Sequence, residues 1–196
     1  MKKFILCVIF FISLTTAFFA QEASEPAKSN QKTFSLDFYF SNLYATGPWS
    51  EYVFSSIGGG GGLEYTLPLT FENCDLGLQL KAEYHYVMIK DSSLDSLSDI
   101  LILPGFFVSL PFKLETVNLS LHPELAYGVI LHNSTIENQK KTYADQLLYL
   151  ALPMRLSFLA LPQVEIEAAP VYSFAFEKKG VLTQSGFRAG LVWSFL

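Results

Sequence analysis

Residues 76–88 read LGLQLKAEYHYVM. Leu76, Leu78, Leu80, Ala82, Tyr84, Tyr86 and Met88 fall on one parity, and Gly77, Gln79, Lys81, Glu83, His85 and Val87 on the other. A period of two places successive side chains on opposite faces of an extended strand, here one apolar and one largely polar. The same alternation recurs on both sides of this stretch. Phe34, Leu36, Phe38 and Phe40 alternate with Ser35, Asp37, Tyr39 and Ser41, and Leu63, Tyr65, Leu67 and Leu69 with Glu64, Thr66 and Pro68. Further along, the apolar parity is carried by Val117–Val129, Leu148–Phe158, Val164–Phe176 and Phe187–Phe195. Residues 100–112 are apolar on both parities. Together these segments predict eight strands.

Which face points inward decides the class. The apolar parity carries no charge and is crowded with Phe, Tyr and Leu, while the other is rich in Gly, Ala and Ser and holds Asp37, Glu64, Lys81, Glu83, Glu124, Arg155, Glu165, Glu167 and Arg188. The lumen of an eight-stranded barrel is just filled by side chains. The bulky face therefore belongs outside, against lipid, and the small and charged face inside. A soluble lipocalin-type carrier would need the reverse arrangement. In hydrocarbon no backbone group can stay unpaired, so spanning strands must close into a barrel. The expected fold is an all-β, eight-stranded antiparallel up-and-down transmembrane barrel over residues 34–196.

The connections alternate as such a barrel requires. Gaps at 43–57, 89–99 and 130–147 are long, those at 70–75, 113–116 and 159–163 short, and that at 177–185 intermediate. Long loops face the exterior and short turns the periplasm. Aromatic residues collect near the strand ends, with Phe34, Phe112, Phe158, Trp193 and Phe195 on the periplasmic side and Phe40, Tyr86, Tyr127, Phe176 and Phe187 on the other. Pro123, Pro153 and Pro170 fall within strands, where each removes a ladder donor. They are expected at bulges or unbonded positions.

The chain opens with Lys2 and Lys3, an apolar run from Phe4 to Phe19, and small residues at Ala17, Ala20 and Ala23. This is the layout of a signal peptide over residues 1–20, followed by a polar, flexible segment over 21–33. Cleavage after Ala17 puts Thr15 at the −3 position, which fits better than the Phe18 required by cleavage after Ala20. An uncleaved anchor helix is the alternative, though the run is short for one. Loss of the two lysines takes the formal charge from −5 to −7. With no basic stripe, nucleic acid is not an expected partner. Cys74 is the one cysteine left after the leader, so no internal disulfide can form.

Three stretches resemble the small outer-membrane β-barrel family that includes OmpX, the opacity proteins and OmpW-like barrels. The last strand, GFRAGLVWSFL (186–196), resembles the C-terminal signal read by the barrel-assembly machinery, with Leu196 following the aromatic Phe195 where the aromatic usually ends the chain. LLYLALPMRLSF (147–158) is similar to the family strand that carries a proline at the place of Pro153. The run Gly58–Gly62 is like the family's glycine-rich second strand. The resemblance implies an integral envelope protein and no single activity.

Other constellations carry less. Gly58–Gly62 lacks the Lys-Ser/Thr and the following helix of a phosphate loop. His122 and Glu124, with His85, suggest a metal site or acid/base pair, but two ligands on one strand are too few, and a hydrogen-bonded lumen network is the expected role. No metal, cofactor or catalytic residue is assigned. Six lumen acids face three bases, and buried charges must pair. Because strands six, seven and eight are neighbours, Arg155 and Arg188 are expected to bridge Glu165 and Glu167. A zipped network would plug the barrel, whereas the acid surplus would suit a narrow cation-preferring path; the alternative function is a narrow channel for small or hydrophobic solutes. A lipid-modifying enzyme is a further alternative. It would need His, Ser and an acid at the lipid-facing outer rim, but no histidine falls on the lipid parity, and His132 beside Ser134 has no obvious acid before Glu137. The expected function lies in the outer loops, chiefly 43–57 and 131–146, as scaffold, adhesin or host-contact surface. The expected partners are outer-membrane lipid, the assembly machinery and an external ligand at the loops.

Overall fold

The computed structural model describes residues 34–71, 74–90, 96–113, 118–136, 139–161, 163–178 and 180–195. The expected signal peptide (1–20) and polar lead-in (21–33) lie outside the described residues. The strands are β1 (Phe34–Thr46), β2 (Val53–Phe71), β3 (Cys74–Ile89), β4 (Ser96–Lys113), β5 (Asn118–Leu121), β6 (Glu124–Ile136), β7 (Gln139–Leu161), β8 (Val164–Glu177) and β9 (Gly180–Phe195). β5 and β6 are two halves of one barrel strand interrupted at His122 and Pro123. Pairing with β4 (Leu110↔Leu121, then Phe107↔Glu124) and with β7 (Leu121↔Met154, then Glu124↔Ala151) keeps one register across the break. Taken this way, eight antiparallel strands each pair with their chain neighbours. β9 returns to β1 from Phe34↔Phe195 to Thr46↔Thr183, and the sheet closes on itself.

The closure is staggered. From Phe38 the register passes through Gly61, Ala82, Ile102 and Val129 to Gln146 of β7, and in the other direction through Leu191 and Ile166 to Phe158 of the same strand, twelve residues away. With a rise of ~3.3 Å per residue and ~4.8 Å between strands, that stagger tilts the strands by about 45°.

The three prolines sit at unbonded positions rather than at bulges. Register shifts occur at Val53/Ser55, Thr66/Thr70 and Leu159/Leu161; none is at Pro123, Pro153 or Pro170, and the second spans Pro68. Pro123 still serves the ladder through its carbonyl, which accepts from Val108 N–H at 3.0 Å.

The face assignment holds throughout. Phe38 (59% exposed), Tyr84 (51%) and Phe106 (61%) stand on the outer surface, with Leu80, Ile102, Leu125, Tyr127, Phe187 and Leu191 around the ring. Phe34, Phe112, Phe158 and Trp193 ring the rim nearest the described chain ends, and Phe195 packs on Phe34 and Trp193 at 6.1 and 4.9 Å. Inside lie Asp37, Glu64, Lys81, Glu83, Glu124 and Arg188, all nearly inaccessible. The segment that is apolar on both parities resolves the same way. Ile100, Ile102 and Phe106 face out, and Leu101, Leu103 and Phe107 face in. Leu101 and Leu103 join Leu43, Ile130, Leu147, Val171 and Leu182 in an apolar layer that fills the outer half of the lumen.

The outer connections differ from expectation. β1 and β2 continue through most of 43–57, leaving a 3-10 turn at Gly47–Glu51, and β6 and β7 continue through 131–146 on either side of residues 137–138. These segments rise toward and past the edge of the apolar belt, where Leu43, Val53, Ser55, Ser56 and His132 are still buried on the inner side while 139–144 are exposed throughout. Hydrogen bonding keeps them extended there, but burial no longer imposes alternation, so period two fades from the sequence. Gly47 starts the first turn at φ 68, a conformation that Cβ disfavours.

Leu80 lies on the lipid face near the middle of the belt. Leu80→Arg is expected to cost roughly 2–4 kcal/mol. Urea unfolding from lipid vesicles measures this, and an unchanged midpoint would place Leu80 away from lipid.

Candidate functional site

The lumen residues come together because strands that are distant in sequence face one another across a narrow interior. Three inward glycines of β2, Gly58, Gly60 and Gly62, make the room. A Cβ at Gly62 would lie 2.5 Å from Asp37 Oδ1 and 2.7 Å from Lys81 Cγ. Arg155 of β7 donates to both oxygens of Glu64 on β2, Nη2 to Oε1 at 2.7 Å and Nη1 to Oε2 at 3.1 Å. Its Nε lies 3.4 Å from Glu167 and its Nη2 3.6 Å from Glu124. Lys81 of β3 donates to Glu124 Oε1 at 2.6 Å and sits 3.5 Å from Glu64 and 3.8 Å from Asp37. Arg188 of β9 donates to Glu83 Oε1 and to the Tyr149 hydroxyl, both at 3.0 Å, and stacks over the Tyr39 ring at 4.9 Å. Glu83 also accepts from Tyr39 at 2.5 Å and meets His85 Nε2 at 2.8 Å.

This arrangement corrects the expected pairing. Arg155 does reach Glu167, but its two-point contact is with Glu64. Arg188 spans the lumen to β3, and Glu165 takes a hydrogen bond from Ser157 at 2.7 Å. A long guanidinium in so narrow a barrel reaches the opposite wall as readily as the next strand, and bidentate geometry favours the better-aligned carboxylate. Asp37, Glu64, Lys81, Glu83, Glu124, Arg155, Glu167 and Arg188 thus share one network. Sequence reasoning missed Tyr39 and Tyr149, whose parity places them inside, and Asp99.

A second cluster lies at the outer mouth, on strand extensions beyond the membrane-spanning segments. His132 of β6 contacts Asp99 of β4 through Nδ1 at 2.8 Å and Glu177 of β8 through Nε2 at 3.3 Å, with Tyr143 of β7 against its ring at 4.7 Å. Its acid partners come from other strands, Asp99 from the adjacent β4 and Glu177 from β8 on the far side of β7; Glu137 lies outside the described residues. Burial of the ring works against its charged form. Hydrogen bonds to Asp99 and Glu177, and their charges, outweigh this and hold the His132 pKa up to about 9.

Ring closure, an outer apolar belt with aromatic rims and a charged interior define an integral membrane β-barrel of the bacterial outer-membrane type. No protein-family model and no curated protein matches the sequence. Solved structures share its fold. Neisserial surface protein A is 12% identical with a TM-score of 0.56, covering 83% of this chain and 97% of that one. A major outer membrane protein from Thermus thermophilus is also 12% identical, at a TM-score of 0.51 and coverage of 82% and 99%. Ail, the attachment invasion locus protein of Yersinia pestis, is 15% identical, at 0.47 with 83% and 97% covered.

Two outcomes follow from the geometry. Arg155→Ala strands Glu64 as a buried charge, and stability is expected to fall by about 3–5 kcal/mol, as for other broken buried pairs. Unfolding in vesicles reads this, and an unchanged curve would mean that Lys81 suffices. For His132, a folded pKa above the unfolded value makes its contribution full below pH ~6.5 and lost as pH rises through about 9. Amide protection factors of 132–136 and 140–143 should drop across that window in wild type and stay level in His132→Gln.

Proposed function

We propose that the barrel is an anchor and that its outer strand extensions, above all the β6–β7 hairpin, bind an external partner by β-strand addition. The observation that carries this reading is an open sheet edge. Residues 139–146 of β7 pair with β6 from Ile136↔Gln139 to Val129↔Gln146, while pairing with β8 begins at Leu147↔Glu177. Along 139–146 every residue but Asp145 is exposed. Such an edge presents unpaired N–H and C=O groups to an extended polypeptide. Lys140 and Lys141 on the same edge discourage pairing between two copies of the hairpin.

The name of the neisserial protein, a surface protein, agrees with this reading. Two other partners belong to it, lipid along the belt and the barrel-assembly machinery, which would read the end of β9. Conduction finds less support, because the apolar layer around Leu101 and Leu147 lies across the outer half of the lumen. A lipid-modifying enzyme finds less still, because His85, His122 and His132 all turn to the interior and none stands on the lipid face.

Selection of a phage-displayed peptide library on the protein in nanodiscs tests the proposal. Enriched peptides should be β-forming. In an edge strand, alternate residues point their backbone groups to the open side. Of Tyr143→Pro and Ala144→Pro, one is therefore expected to abolish peptide binding and the other to disturb the pairing with β6. No enrichment, or binding indifferent to both changes, would sink the reading.

A further inference from the structure

Glu64, His122 and Glu124 come from β2 and from the break between β5 and β6. One ligand-capable atom from each lies within 4.8 Å of the others. All three side chains are buried in the half of the lumen below the apolar layer. We propose that they form a binding site for a single divalent transition-metal cation of the Zn²⁺ class.

The spacing suits such an ion. His122 Nε2 and Glu64 Oε1 are 3.5 Å apart. Two tetrahedral ligands at ~2.1 Å from one metal are separated by about 3.4 Å. A mixed nitrogen and oxygen donor set is the one that suits zinc.

The ligand atoms also want a partner. His122 Nε2 and Glu124 Oε2 are buried without a well-formed hydrogen bond, the first 3.5 Å from Glu64 Oε1 and the second 3.6 Å from Arg188 Nη1, in residues 3% and 0% exposed. Groups so placed are costly to leave unpaired. The imidazole is held in position from both sides. Phe107 stacks on its face at 4.5 Å, and the His122 backbone N–H donates to the Pro153 carbonyl at 2.9 Å. Arg155 on Glu64 and Lys81 on Glu124 orient the carboxylates, as outer partners of metal-ligating acids do.

Charge balance points the same way. The connected network holds the carboxylates Asp37, Glu64, Glu83, Glu124 and Glu167 and the permanent cations Lys81, Arg155 and Arg188. With neutral histidines it is short of two positive charges, in a region where uncompensated charge is expensive. One divalent ion supplies both.

The test is isothermal titration of ZnCl₂ into the untagged, detergent-refolded chain, with folding verified by heat-dependent gel mobility. A single saturable site is expected. It should weaken roughly tenfold or more in His122→Gln and persist in His85→Gln and His132→Gln. X-ray absorption of the zinc-loaded wild type should show a nitrogen and oxygen shell with the scattering of one imidazole, a readout independent of whether the variant folds. Absence of saturable 1:1 binding, a His122→Gln variant that binds as wild type, or a metal shell without imidazole would overturn the site. The lumen deficit would then be met by protons.

Discussion

Everything in this barrel depends on the need of each backbone N–H and C=O in hydrocarbon for a partner within the protein. That requirement closes the ring and aligns β9 with β1, and it forces the side chains into two populations with no intermediate. The lipid face can then be bulky and uncharged. The interior receives whatever the alternation leaves, and in this chain that is a set of carboxylates and cations too large to pair along adjacent strands. They pair across the lumen instead, where Arg155 to Glu64, Lys81 to Glu124 and Arg188 to Glu83 tie together strands remote in the chain.

The interior is layered as a consequence. Below, ionic and hydroxyl groups fill the space vacated by the glycines of β2. Above, leucine, isoleucine and valine pack across the barrel, and His132 with its two carboxylates closes the outer mouth. The lower part resembles a polar network and the upper part an ordinary soluble core. The sheet around them is continuous.

Most of the fold was legible in residues 76–88 and their counterparts, because a lipid face and a lumen face impose period two on any strand that spans. The same logic explains what was not legible. Residues 43–57 and 131–146 lose the pattern where polar residues such as Ser55, Ser56 and His132 are buried inside and 139–144 meet water throughout, so hairpins looked like loops. Residues 100–112 lose it where both faces are apolar. Charge partners were harder to read, since parity says which way Arg188 points but not how far it reaches. Glu64 could not be joined to His122 and Glu124 from spacing alone, since β3 and β4 separate its strand from theirs around the ring. Glu177 was invisible as a partner of His132 for the same reason, with β7 between their strands, whereas Asp99 stands directly opposite His132 in a register that parity alone does not set.

The seam between β1 and β9 is as regular as any other junction in the ring. It begins where Phe34 faces Phe195 and runs through thirteen consecutive pairs without a shift. Both ends of the described barrel therefore lie side by side on one rim. In connectivity the sheet has no first strand. Were the chain opened at the outer turn between Glu177 and Gly180 and its present ends joined, every strand would keep the neighbours it has now. Where the polypeptide begins is thus a matter of synthesis and export, and the finished ring carries no record of it.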